Sequence, residues 1–192
     1  MSGNRLLALT SVLFLPLFAC RDARTPGEEG TSTIEGGGTM SLAVTTTAFS
    51  PGGAIPKSYT CDGADTSPDL SWSGAPAGVH SFALIADDPD APVGTWTHWL
   101  IWNIPVQSTG LPKGVPKEET LGDGTRQGRN DFRRIGYGGP CPPPGKPHRY
   151  FFKVYALDAK LDLRAGANRG ELERAMKGHV LAQGELMGKY GR

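Results

Sequence analysis

The segment Ser81-Phe82-Ala83-Leu84-Ile85-Ala86-Asp87-Asp88-Pro89-Asp90-Ala91-Pro92 changes character halfway along its length. Its first half is a compact apolar run. Bounded by turn residues, such a run suits a buried strand. Its second half sets aspartates against prolines, whose fixed φ stiffens the chain and ends the strand. Outward from this segment the same rhythm recurs. Thr97 to Ile104 (THWLIWNI) is aromatic and β-branched, and Arg149 to Leu157 (RYFFKVYAL) is another strand of that kind. Turn-rich stretches at 87–95, 105–124 and 136–147 separate them. Short strands divided by turns predict a mainly β, sandwich-like domain over residues 40–192. Near the C-terminus Asn168 and Glu171 have capping-box spacing, Leu172, Ala175 and Met176 share a helical face, and Gly178 can end a short helix. A last strand is expected over His179 to Tyr190, with Val180, Ala182 and Leu186 as its apolar positions.

Bulk properties narrow the function classes. With 192 residues, 38% of them hydrophobic, the chain can form one core. The 27 glycines and 16 prolines favour turns over long helices. A net charge of +1 lacks the basic footprint of a nucleic-acid binder, and that class is discounted.

The N-terminus reads as a targeting segment rather than as fold. Arg5 precedes an apolar run from Leu6 to Phe18, shorter than the about 20 residues needed to span a bilayer. Leu17-Phe18-Ala19-Cys20 resembles a lipobox, although Phe18 stands where a smaller side chain is usual. Residues 1–20 are therefore expected to be a lipoprotein-type signal peptide with lipidation at Cys20. The alternative is ordinary cleavage nearby, giving a soluble periplasmic or secreted protein. Residues 21–39 are polar and Gly/Thr-rich and are expected to be a flexible tether. The resulting localisation is the cell envelope, with membrane attachment through the lipid. If Cys20 is acylated, Cys61 and Cys141 remain. An exported compartment permits a disulfide between them; the alternative is two buried free thiols.

Three segments could carry chemistry, and each has a plain structural reading beside it. The acidic loop after Ser81–Ala86 forms an ordinary turn if taken alone. His98, in Trp96-Thr97-His98-Trp99, begins a strand; simple alternation puts it on one face with Leu100 and Trp102. In Gly138 to Tyr150 (GGPCPPPGKPHRY) a Gly/Pro loop feeds a strand in which His148, Tyr150 and Phe152 share a face. Glycines there would let backbone N–H groups approach an anion, or the loop is merely shaped by proline beside an inward aromatic face.

Taken together, DPDAP, the W-x-H after it, Gly128 to Phe132 (GRNDF), the loop ending in HRY, Thr66 to Pro76 (TSPDLSWSGAP) and Cys61-Asp62-Gly63 resemble the phosphatidylethanolamine-binding protein family, and its bacterial Raf-kinase-inhibitor-like branch in particular. The resemblance runs from about Thr45 to the C-terminus. It implies a large central antiparallel sheet, a smaller sheet packed on it and a C-terminal helical region. It also implies a pocket for phosphate-type anions such as a phospholipid head group. Carried over motif by motif, that pocket comprises Asp88, Ala91, Pro92, Trp96, His98, Cys141, Pro142, Pro143, His148 and Tyr150. Cys141 departs from the glycine common in eukaryotic members, and a bridge to Cys61 would pin the loop. Bacterial relatives imply a homodimer.

The expected function is non-catalytic binding of a small anion or phospholipid head group, with no cofactor, and modulation of another protein follows only by family likeness: inhibition of an envelope protease or a kinase is the second reading. A metal-dependent hydrolase built on Asp88, His98 and His148 is the third. No HExxH, CxxC, GxSxG or Walker A motif accompanies those residues, and no metal ligand is assigned.

Overall fold

A computed structural model describes residues 40–192. The expectations for the signal segment 1–20, lipidation at Cys20 and the tether 21–39 lie outside the described residues. In chain order the elements are β1 (Met40–Ser41), β2 (Ala43–Thr45), β3 (Leu70–Ser73), β4 (Ser81–Asp88), β5 (Trp96–Pro105), β6 (Gly110–Leu111), β7 (Arg126–Gln127), β8 (His148–Leu157), α1 (Arg169–Met176) and β9 (Val180–Tyr190).

Six strands form the main sheet in the order β1-β9-β8-β4-β5-β7, and β2-β3-β6 form a small sheet. The main sheet is antiparallel except at one edge, where β1 runs parallel to β9, so it is mixed rather than purely antiparallel. The long elements match the sequence expectations to within two residues at each end. The strands of the small sheet have only two to four residues, and although Leu70 and Trp72 of β3 alternate with exposed serines, that pattern is too short to stand out from the surrounding turns.

Each element of the core follows from its sequence. All eight residues of β4 are buried, because β5 and β8 flank it and both sheet faces are covered. A strand covered on both faces reads as a continuous apolar run, as Ser81–Ala86 does. On one face Phe82, Leu84 and Ala86 join Trp99, Phe152 and Val154, and the small sheet adds Val44, Leu70 and Trp72. On the other face Ala83, Ile85, Leu100 and Trp102 pack against Leu172 and Met176 of α1.

The helix is short and depends on its surroundings, since isolated helices of this length are marginal. The capping box is present: Asn168 Oδ1 accepts the Glu171 N–H at 3.0 Å, and Glu171 Oε2 accepts the Asn168 N–H at 2.8 Å. Gly178 follows with φ +86°, a left-handed conformation that glycine adopts without a Cβ clash. Arg169 ties the helix to the sheet by donating to Asp87 Oδ2 at 2.9 Å. Asp87 is fully buried on the helix side and also accepts from Lys153 Nζ at 2.8 Å and 3.0 Å. Two cations therefore compensate one buried carboxylate, which would otherwise be too costly to desolvate.

Candidate functional site

Asp88 is the last residue of β4 and His148 the first of β8. β4 and β8 are adjacent antiparallel strands, so these residues meet at the same end of the sheet. The Asp88 carboxylate accepts from His148 Nδ1 at 2.8 Å. Its other oxygen accepts the Asp90 N–H at 2.8 Å, which folds the DPDAP turn back on the strand end. Each oxygen of Asp88 thus has a partner within the protein, and His148 keeps Nε2 unengaged among the described residues.

His98 reaches this site by a route that strand alternation does not predict. Ala86 lies opposite Trp99, but Asp87 lies opposite Thr97, so His98 is a surplus residue in β5. Such a bulge reverses the facing of the side chains beyond it. Leu100 and Trp102 face the helix, whereas His98 packs its ring edge-on against Tyr150 at 5.2 Å and Phe132 at 5.3 Å, on the opposite side of the sheet. The expectation that His98 shares a face with Leu100 and Trp102 is therefore corrected. The irregularity is held by Asp131, whose carboxylate accepts the Thr97 N–H at 2.6 Å and whose own N–H donates to the Thr97 carbonyl at 3.0 Å.

His98 is buried, and burial pushes its pKa below the usual histidine value, against smaller opposing effects led by the Gly138 carbonyl. The imidazole is thus neutral. Its Nδ1 lies 2.6 Å from the Gly138 carbonyl, an acceptor, so Nδ1 carries the hydrogen and Nε2 is left as an acceptor. His98 accordingly offers a lone pair rather than a positive charge.

A cavity of about 190 Å³ lies over these groups. Asp88, Ala91, Pro92, Trp96, His98, Cys141, Pro142, Pro143 and His148 line it, so nine of the ten sequence-derived ligand residues converge on one space. Tyr150 is the exception. It is buried behind His98, and its hydroxyl forms no hydrogen bond. Burial, then the nearby Asp88 charge, holds that phenol well above its usual pKa, so it stays protonated. Trp96 Nε1 is likewise buried without a partner. Native structures seldom leave such donors unmatched, and Trp96 belongs to the cavity wall.

Two wall residues escaped the sequence reading. Phe132 packs edge-on against Trp96 at 5.4 Å and closes one side; it belongs to the GRNDF motif, which was noted only as a family mark. Val93 lies beyond the DPDAP motif and stands at the mouth, 77% exposed, with no motif to signal it.

The Gly/Pro loop also works differently from expectation. The Gly138 N–H donates to the His98 carbonyl at 2.9 Å, and the Gly139 N–H donates to Asp65 Oδ1 at 2.6 Å. Neither is free for a ligand. Glycine is needed for close packing instead: a Cβ on Gly138 would come within 2.7 Å of the Phe132 ring, and one on Gly139 would strike the Tyr59 carbonyl. The rim beyond them is braced by a Cys61–Cys141 disulfide and by the Cys61 N–H donating to the Pro140 carbonyl at 3.1 Å. The bridge resolves the two alternatives left by the sequence.

Comparison with known proteins agrees with this architecture. The family model described as phosphatidylethanolamine-binding protein matches residues 45–191. A UPF0098 protein of Methanothermobacter thermautotrophicus is 55% identical over 147 residues, which cover 77% of this chain and 97% of that one. A UPF0098 protein of Pyrococcus horikoshii is 53% identical over 156 residues, covering 80% and 78%. Among solved structures, YbcL of E. coli superposes with a TM-score of 0.74 at 37% identity, covering 79% of this chain and 98% of its own. The homologue CT736 of Chlamydia trachomatis superposes with a TM-score of 0.72 at 39% identity over the same shares. The chain belongs to the phosphatidylethanolamine-binding protein family.

Proposed function

We propose that this protein is a non-catalytic binder whose small pocket takes a phosphate-bearing zwitterion, with phosphoethanolamine the simplest case, either free or as a phospholipid head group. The observation that carries this reading is the Asp88–His148 pair at the pocket wall. With Nδ1 held by the carboxylate, His148 turns Nε2 to a ligand in a fixed orientation, where the N–H of the imidazolium form donates to a phosphate oxygen. The Trp96 indole lines the same wall, its N–H buried and unmatched among the described residues. The lone pair of His98 Nε2 suits the opposite partner, an ammonium or hydroxyl hydrogen. A pocket with a donor and an acceptor fits a zwitterion better than a bare anion.

The one cysteine at the pocket wall, Cys141, has its sulfur in a disulfide and so offers no thiolate nucleophile. We place the protein in the cell envelope, tethered through Cys20; the mass of the mature N-terminus tests that assignment, and a protein starting elsewhere without acyl chains would defeat it.

The binding reading is tested by titrating phosphoethanolamine into the wild type and His148→Ala. Saturable binding in the first and a large loss in the second is the expected result. Equal affinities would remove His148 from the site, and no binding to either would remove the function.

A further inference from the structure

A second and larger space opens beside the small pocket. Its volume is about 650 Å³, and it shares Pro143 and His148 with the smaller one. One proline ring and one imidazole therefore stand between the two, and His148 borders both. The inner space is limited: 190 Å³ equals about six waters at their liquid volume. Any ligand larger than a small head group must continue outward, and this neighbour adjoins the pocket directly.

The charge in the outer space is one-sided. Asp90, Lys146, Arg149 and Lys189 line it. Asp90 and Arg149 cancel each other: Arg149 donates from its backbone N and Nε to Asp90 Oδ2, both at 2.9 Å, and from Nη2 to Oδ1 at 2.7 Å. Lys146 and Lys189 make no ion pair among the described residues. Lys189 projects from a fixed backbone, since its N–H donates to the Gly53 carbonyl at 2.8 Å and its carbonyl accepts the Ile55 N–H at 2.7 Å. Pro143, Pro144 and Pro147 add stiff walls that have no N–H to offer. Isolated surface lysines are usually just solvated. Here two lysines without an ion pair among the described residues stand in a concave, proline-walled space that shares a wall with a pocket having its own polar groups, on a chain whose net charge is only +1.

We propose that this outer space is a second anionic subsite centred on Lys146 and Lys189, and that the ligand is an organic phosphate carrying a second anionic group. The proposal rests on the reading of the inner pocket as a phosphate site. His148 is the point of contact common to both halves, and Lys146 and Lys189 select for the second charge.

Isothermal titration of the full chain with alkyl phosphates and with the matching α,ω-bisphosphates tests it. The wild type is expected to prefer the bisphosphate by about tenfold, the size of two partly exposed charge contacts, and high salt should shrink that preference. Lys146→Ala/Lys189→Ala should abolish the preference and leave alkyl phosphate affinity unchanged; both residues are exposed, so the fold is not at stake. Equal affinity for the two probes in the wild type, or a preference that survives in the double variant, overturns the second subsite alone. Failure of the wild type to bind either probe while it binds phosphoethanolamine overturns the second subsite; failure to bind all three overturns the inner-pocket reading and this one together. The same bisphosphate preference for a diphosphorylated lipid head group presented in vesicles would identify a membrane source; preference only in free solution would identify a soluble one.

Discussion

Asp88 and His148 lie 60 residues apart in sequence and 2.8 Å apart in space, joining the last residue of one strand to the first residue of its neighbour. Both are largely buried, with side-chain exposures of 5% and 12%. The pair fixes which nitrogen of His148 faces the cavity, and on the proposed reading Asp88 acts on a ligand through that orientation. Asp88→Ala is expected to weaken phosphoethanolamine binding roughly tenfold to a hundredfold, the worth of one hydrogen bond to a charged group. Calorimetric titration checks this. If Asp88→Ala binds as the wild type does, the pair has no part in recognition.

Trp96 makes a sharper test, because its indole N–H has no partner among the described residues. Trp96→Phe keeps an aromatic ring toward Phe132 but removes that donor together with the five-membered part of the indole. Ligand affinity should fall about fivefold, equivalent to one neutral hydrogen bond, and the thermal midpoint should fall with the lost packing. A variant less stable yet equally competent in binding would mean that Trp96 serves the fold alone.

His98 predicts a pH dependence of stability. Its folded pKa lies below the ordinary histidine value of 6.5 because burial disfavours the charged ring. Below pH 6.5 the unfolded chain therefore binds a proton that the folded chain refuses, so stability is full above that pH and is lost as pH falls. The slope for one such group reaches about 1.4 kcal/mol per pH unit. Urea unfolding of the wild type and His98→Gln between neutral and mildly acid pH should show a steeper acid loss in the wild type. Parallel curves would mean that the ring titrates alike in both states.

The disulfide should matter to stability and to the pocket rim together. It links residues 80 apart, and the chain-entropy model assigns such a closure about 4–5 kcal/mol. Cys61→Ser/Cys141→Ser should lower the denaturant midpoint accordingly. Because Cys141 lines the pocket, affinity should fall as well. Reductant should reproduce both effects in the wild type and change neither in the double variant. A double variant with unchanged affinity would confine the bridge to a stabilising role.

Much of this architecture was legible before any coordinates. The apolar run at Ser81–Ala86, the strands starting near Thr97 and Arg149, and the Asn168–Glu171 cap depend on neighbours within a few positions, so local chemistry specifies them. The shared face of His148 and Tyr150 is likewise a consequence of unbroken alternation in β8. Tertiary structure decided the rest. The facing of His98 depends on a one-residue register shift against β4, which exists only once the two strands pair. The occupied N–H groups of Gly138 and Gly139 depend on His98 and on Asp65, far away in sequence. Phe132 becomes a wall, and Lys146 and Lys189 become neighbours of one cavity, only when separate loops and β9 meet at one end of the sheet. Periodicity along the chain therefore determined which residues could be strands, caps and core. Contacts between segments distant in sequence decided which polar atoms remained free to meet a ligand.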